Sequence, residues 1–280
     1  MIQQPLPTLA AWVEAFANAD IPILPESASE IALLREIEEA RGDMDAHTLA
    51  ESLDNDPLTT LKVLVHVSRY CTSLSIEPPE TLVGALVMLG VGPFFNAFTE
   101  PQDVQTCLAH RPEAIDGLNQ VVHRSRRAAH FAQGFALKRQ DQDVVVIHEA
   151  ALLHAFAEML LWCHAPKLML EITDKLKADH TLRSAAVQQE VLGIRIDDLA
   201  QELMRRWQLP DLLIHCSDQR LVNDPRVRNV TLAVRIARHT QHGWDDPHCL
   251  AALPDDASDV GQLLNIAPEA AHRLIRGLDT

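Results

Sequence analysis

The stretch Ile147-His-Glu-Ala-Ala-Leu-Leu-His-Ala-Phe-Ala-Glu-Met-Leu-Leu-Trp162 decides the fold of this chain. Only two histidines and two glutamates interrupt its apolar residues. A helix that is apolar on nearly every side belongs in the middle of a core, with other helices packed around it. The four ionisable side chains argue against a membrane span, which needs about 20 apolar residues in a row. The stretch therefore predicts a central helix that buries Leu152, Leu153, Phe156 and Leu160.

The composition of the chain limits its class and its partners. Its 280 residues are 47% hydrophobic, which is ample for a core, and its formal net charge is −15. Such a charge repels nucleic acid and anionic membrane surfaces, so neither is expected as a partner. The five cysteines are an odd number without a C-x-x-C pair, which predicts free thiols and a reducing cytoplasm. The N-terminal residues show no export signal, in agreement with a cytoplasmic protein.

Helix caps and apolar spacing predict an all-α fold. Asp56-Pro57 and Asp224-Pro225 each place a capping carboxylate before a proline at the first helical position. A long helix is expected over about residues 117–138, and the polar segment Glu100–Gly117 before it is the best candidate for an internal hinge. Residues 243–259 are predicted to form an acidic loop.

The histidines and cysteines outside the central stretch are weak candidates for chemistry. His239 and His242 have i,i+3 spacing with Asp246 and His248 nearby, but the plainer interpretation is surface histidines. Cys163 and His164 are adjacent on a helix and diverge, so a catalytic dyad is not favoured. Arg124, Arg126 and Arg127 are predicted on the exposed side of the long helix. They would suit a phosphate or an acidic partner, although a solvated helix face is the simpler interpretation.

One constellation is more specific. A buried helix that reads A-L-L-H, preceded by a helix that carries His123, resembles the core of the HD superfamily of metal-dependent phosphohydrolases. The resemblance implies a His–Asp pair and further His and Asp ligands that hold metal ions, which activate water. In this chain the pair is His154-Ala155, so a methyl group stands where the superfamily has its bridging aspartate.

Further motifs narrow the resemblance to the HDOD domain family, which shares the HD fold but has generally lost the metal ligands. Its N-terminal features are present as Ile21-Pro-Ile-Leu-Pro25, Asp56-Pro57-Leu58 and Ala85-Leu-Val-Met-Leu89-Gly90. Its later motifs are present as Ala151-Leu-Leu-His154, Leu192-Gly193 and Trp207-Gln-Leu209-Pro210. The resemblance covers roughly residue 21 to the C-terminus.

The chain departs from the family pattern at polar positions. Ser68-Arg69 replaces an Asn-Ser, and Ile196 replaces a histidine that usually follows the L-G. The His-His that often follows W-x-L-P falls on Asp218-Gln219 or close by and is missing. His123, His154 and Ala155 are therefore interpreted as vestigial metal-site positions. A buried, neutral His154 would hydrogen-bond a carbonyl or water.

The sequence thus predicts an all-α, multi-helix bundle of the HD-superfamily type. Residues 1–115 would form an N-terminal helical subdomain, and residues 116–280 the HD-like bundle with the C-terminal helices. The implied function is that of a bacterial signalling protein that binds other proteins, with no catalytic residues, metal or cofactor. A homodimer is compatible with this function. The Arg124/Arg126/Arg127 face is a candidate partner surface.

Two alternatives stay open at this point. One is a divergent HD phosphohydrolase for nucleotides or cyclic dinucleotides, which would use His123, His130 and His154. The other is a sensor with a small-molecule pocket between its two halves.

Overall fold

The structure, a computed structural model, describes residues 1–179 and 181–279. In this part of the chain all regular elements are helices, apart from one isolated parallel bridge between Ile23 and Asp103. The fold is all-α, as predicted. The helices are α1 (Leu9–Ala17), α2 (Pro25–Arg41), α3 (Ala46–Leu53), α4 (Pro57–Leu74), α5 (Leu82–Leu89), α6 (Val91–Ala97), α7 (Val104–Cys107), α8 (Glu113–Arg139), α9 (Val144–Leu153), α10 (Phe156–His164), α11 (Pro166–Ala178), α12 (Ser184–Leu192), α13 (Ile196–Arg206), α14 (Asp211–Ser217), a 3₁₀ turn (Gln219–Leu221), α15 (Pro225–His239), α16 (Pro247–Leu264) and α17 (Pro268–Leu278).

The central apolar stretch is two helices instead of the single one predicted. Helix α9 ends at Leu153 and α10 starts at Phe156. Between them Ala155 has φ −100° and ψ 16°, which interrupts the helical hydrogen-bond ladder. The four apolar side chains predicted for the core are buried, with at most 1% of their surface exposed. The segment Val144–His164 would be long and apolar enough to cross a membrane, but 67% of its most apolar window is buried, as in the core of a soluble protein.

Two compact units make up the chain. The first unit comprises residues 1–122 and 155–210, and the second comprises residues 123–154 and 211–279. The chain changes unit inside α8, at the turn after His154, and after Pro210. The division at residues 115/116 that the sequence suggests stays a prediction.

In the first unit α10 packs against α4, α11 and α13, while α1 packs against α13, and α5 against α3 and α4. Two tryptophans tie the ends of helices together. Trp12 Nε1 donates to the carbonyl of Leu192 at 3.3 Å, and Trp207 Nε1 donates to the carbonyl of Ala17 at 3.4 Å. The segment Glu100–Gly117 also lies in this unit, where backbone hydrogen bonds join Ile23 to Gln102 and Val104 at 3.0 Å each.

In the second unit α9 packs against α14 and α15, α15 against α16, and α16 against α17. The predicted acidic loop at residues 243–259 is wrong, because Pro247–Leu264 is helical. Asp246 accepts from the backbone N–H groups of His248 and Cys249, and Pro247 takes the first helical position. The acidic residues lie on a helix, and Asp256 is buried in it.

Candidate functional site

The residue that matches the superfamily's metal-binding histidine lies at the end of α9 in the second unit. His154 is the C-cap residue of α9 and its side chain is half-buried, not buried as predicted. Its Nε2 lies 2.7 Å from Nε2 of Gln219 in the 3₁₀ turn. An amide nitrogen only donates, so the imidazole Nε2 accepts and the neutral ring carries its proton on Nδ1. One partner of His154 is therefore a side-chain amide.

The turn that carries Gln219 is held by its own neighbours. Asp218 accepts from the backbone N–H of Arg220 at 3.1 Å. The guanidinium of Arg220 donates to the same carboxylate from Nε at 2.8 Å and from Nη2 at 2.7 Å. Two parallel charge-assisted hydrogen bonds fix a planar guanidinium well. The turn therefore presents Gln219 to His154 in a defined geometry.

A second polar cluster fixes the chain on either side of this turn. Oδ2 of Asp224 lies 2.8 Å from Nε2 of His215, and Arg226 bonds the same carboxylate at 2.9 and 3.2 Å. Arg226 also pairs with Asp143, just before α9, at 3.0 Å. The hydrogen bonds from Arg226, with that from His215, hold the pKa of Asp224 well below its usual range. The sequence marked Asp224 only as a helix cap, and nothing in it pointed to this cluster.

The remaining histidines named for an enzyme do not assemble around His154. His123 and His130 are exposed on α8. His148 on α9 is half-buried, and desolvation, followed by the charge of His130, lowers its pKa to about 4. In the described residues no group of three or more His, Cys, Asp or Glu side chains is placed to hold a metal ion.

The metal that the HD superfamily implies does not fit the residue types at these positions. The Nε2 lone pair of His154 is engaged by Gln219. Ala155 and Ile196 offer only carbon atoms, and Gln219 turns its amide nitrogen, not its oxygen, towards the histidine. Metal sites of this class need imidazole nitrogens together with carboxylates. These residues therefore support no metal-dependent step.

The side chain of Arg127 does not lie on a solvated helix face, which was its predicted position. It donates to both carboxylate oxygens of Asp279, at 2.8 Å from Nε and 2.6 Å from Nη2, and Nη2 also donates to Thr240 at 2.7 Å. Only 15% of its side chain is exposed. Trp244 Nε1 donates to the same carboxylate at 2.9 Å. Arg127 therefore anchors the end of α17.

The other two arginines of the predicted surface lie nearer to solvent. Arg124 is half-buried, and its Nη1 lies 3.5 Å from Oε1 of Gln241, while Arg126 is exposed. Their role in binding a partner stays a prediction.

The weaker candidates have structural roles. His239 Nδ1 lies 2.7 Å from Oδ2 of the buried Asp256, which also pairs with Arg235 at 2.8 Å. His242 contacts Gln241 instead. Cys163 is buried, which raises its pKa, and His164 Nε2 lies 2.9 Å from the carbonyl oxygen of Asp20. All five cysteines are free thiols, as predicted.

Comparisons with known proteins agree with this fold. The HDOD domain profile matches residues 21–220. The response regulator MmoQ of Methylococcus capsulatus superposes with a TM-score of 0.65 at 20% identity, over 91% of this chain and 98% of its own. A virulence factor of Campylobacter jejuni superposes with a TM-score of 0.65 at 19% identity, over 92% of this chain and 89% of its own. No curated protein matches the sequence. The profile spans more than two thirds of the chain and includes both His154 and Gln219, and the chain belongs to the HDOD domain family.

Proposed function

We propose that this chain is a non-catalytic signalling protein that acts by binding a partner protein. The observation that carries the proposal is the hydrogen bond between His154 and Gln219. It occupies the histidine that an HD enzyme would use for its metal, next to an alanine where the enzyme needs a carboxylate. The residues keep the helical scaffold and have lost the donor set, which leaves binding as the remaining use of the fold.

The role in signalling has support from one of the similar structures. MmoQ is a response regulator, and its whole length is similar in fold to this chain. The net charge of −15 disfavours nucleic acid and anionic membranes, which favours a protein among the macromolecular partners. We further propose that the protein works in the cytoplasm, where its five free thiols would stay reduced.

The test is metal analysis and hydrolysis by the purified protein. We expect less than stoichiometric Mn, Fe, Mg and Zn, and no turnover of nucleotides or cyclic dinucleotides. Ala155→Asp should create no activity, because one added carboxylate lacks the further ligands that a metal needs. It should also lower stability, since it places an unpaired carboxylate beside apolar residues. The variant matched to Ala155→Asp is Gln219→His, which also adds a side chain able to bind a metal but adds no charge at neutral pH.

The alternative function, a divergent HD phosphohydrolase, predicts the opposite result. About one transition metal per chain, with phosphodiesterase turnover that His154→Ala abolishes, would replace the binding function by divergent HD hydrolysis.

A further inference from the structure

An apolar patch lies in the first unit where the C-terminal end of α4 meets α5. We call it the α4–α5 patch, and its members each expose between 39% and 57% of their surface: Tyr70, Leu74, Ile76, Val87 and Met88. Tyr70 and Leu74 are four residues apart on α4 and share a face of that helix. Val87 and Met88 come from the last turn of α5, which packs against α4.

The buried residue Cys71 of α4 contacts two residues of the patch. Its Sγ lies 3.2 Å from Sδ of Met88, which brings α5 to this point of α4. The backbone N–H of Ile76 donates to the carbonyl of Cys71 at 3.1 Å, so the chain folds back here after α4. The patch therefore draws its residues from α4, α5 and the connection between them. The largest exposed apolar patch of a protein is often functional, which makes such a group of residues a candidate binding site.

Two acidic side chains lie in the connection that contributes to the patch. Between residues 70 and 90 the charged residues are Glu77 and Glu80, both exposed in the connection from α4 to α5. Neither forms an ion pair with a basic side chain in the part of the chain that the structure describes. The basic residue just before this stretch, Arg69, donates from Nη2 to the carbonyl of Ala17 at 2.8 Å.

We infer that the α4–α5 patch binds an amphipathic helical segment of a partner protein, with apolar side chains on one face and lysine or arginine beside them. The inference rests on the proposed function and names the partner's chemistry. Apolar side chains would cover the patch, and the basic groups would pair with Glu77 and Glu80. Met88 suits such a site because its unbranched thioether adapts to the shape of a ligand.

Two other occupants fit less well. A second copy of the chain would bring another charge of −15 and the same pair of glutamates, so it would be repelled. Five half-exposed side chains also present only a few hundred Å². A stable interface between globular proteins buries about 800 Å² on each partner. An anionic membrane would be repelled by the same charges.

The test uses two synthetic helical peptides with the same leucine face. One carries lysines on its other face and the second carries glutamates, and binding is measured by fluorescence anisotropy. We expect the lysine peptide to bind and the glutamate peptide not to bind. Leu74→Ser combined with Val87→Ser should weaken binding about tenfold or more, because two apolar contacts are lost at unchanged charge. Glu77→Gln with Glu80→Gln should weaken binding and reduce its dependence on salt.

The matched control is Leu137→Ser, which removes an exposed leucine from α8 in the second unit, 61% exposed. It should leave the affinity unchanged. The inference is wrong if the lysine peptide does not bind, or if it binds equally to the Leu74→Ser/Val87→Ser variant. It is also wrong if that variant abolishes self-association in sedimentation or binding to phosphatidylglycerol vesicles, since a second copy or a membrane would then be the occupant. Metal content and hydrolysis of the same preparation test the proposed function separately.

Discussion

At the scale of single residues, the hydrogen bond between His154 and Gln219 describes the surroundings of the histidine that the sequence predicts to be a vestigial metal-site residue. The two residues are 65 positions apart, and they meet because α9 and the 3₁₀ turn lie side by side in the second unit. The resemblance to the HDOD family indicates which ligands are missing but not what replaces them. No periodicity connects residues so far apart, so this hydrogen bond could not be predicted from the sequence. The same holds for the pairing of Arg127 with Asp279, 152 positions away.

His148 gives a prediction at the same scale, about stability and pH. Its pKa is lowered to about 4 in the folded protein, from the model-peptide value of 6.5, mainly by burial. Between these values the unfolded chain binds a proton that the folded chain does not. As far as His148 is concerned, the protein is therefore most stable above pH 6.5. The free energy of unfolding falls by at most about 3 kcal/mol as the pH drops towards 4.

The measurement is the free energy of unfolding in urea at pH 7 and at pH 5. His148→Gln keeps a polar side chain without a titrating group, so its stability should change less between the two pH values. His47→Gln is a suitable control, because that histidine is exposed on α3. An equal loss of stability in the wild type and in His148→Gln would assign the acid sensitivity to other groups.

At the scale of elements, helix starts were the most predictable feature of the chain. Asp56-Pro57 and Asp224-Pro225 begin α4 and α15 as predicted, because a carboxylate that accepts backbone N–H groups and a proline without one act together. Asp246-Pro247 is the same signal, and it begins α16. It was missed because Pro254 and several aspartates follow it, and an internal proline usually argues against a helix. The break at Ala155 could not be predicted from the sequence, since no glycine or proline lies around it.

A close contact between helices in the first unit provides the element-scale prediction. A Cβ atom added at Gly117 in α8 would lie 2.4 Å from two atoms of the Trp162 ring in α10. Trp162 is only 5% exposed, so its ring is packed among other protein atoms. We expect Gly117→Ala to destabilise the protein by about 1–3 kcal/mol through overpacking, despite the better helix propensity of alanine.

The control is Gly277→Ala in α17, where an added Cβ would meet nothing within 4 Å. That variant should be neutral or more stable by up to about 1 kcal/mol. Gly117→Ala is also made in the background of Trp162→Leu, where it should cost less than in the wild type, because the smaller side chain removes the clash. The comparison uses thermal and urea unfolding of the wild type, Gly117→Ala, Gly277→Ala, Trp162→Leu and the double variant. A stable Gly117→Ala variant would mean that α8 and α10 are farther apart at this point.

At the scale of the whole molecule, the sequence predicted the class of fold and the family, but it did not reveal the compact units. The chain passes between them inside α8, in the apolar stretch after His154, and after Pro210. None of these points is a flexible linker by composition. The predicted hinge at Glu100–Gly117 lies within the first unit, where backbone hydrogen bonds attach it to Ile23. Contacts between distant segments define the units, and composition does not report such contacts.

The net charge of −15 leads to the last prediction. The charges repel one another more strongly in the compact state than in the unfolded chain, so screening them should stabilise the fold. Raising NaCl from about 0.01 M to about 0.15 M shortens the Debye length from roughly 30 Å to roughly 8 Å. At pH 7 we expect the Tm to rise by a few degrees, equivalent to about 1 kcal/mol. Near pH 5.3, the pI calculated from the sequence, the net charge approaches zero and the rise should disappear. A Tm that falls with NaCl at pH 7 would instead show that ion pairs, such as Arg127 with Asp279 and Arg226 with Asp224, outweigh the general repulsion.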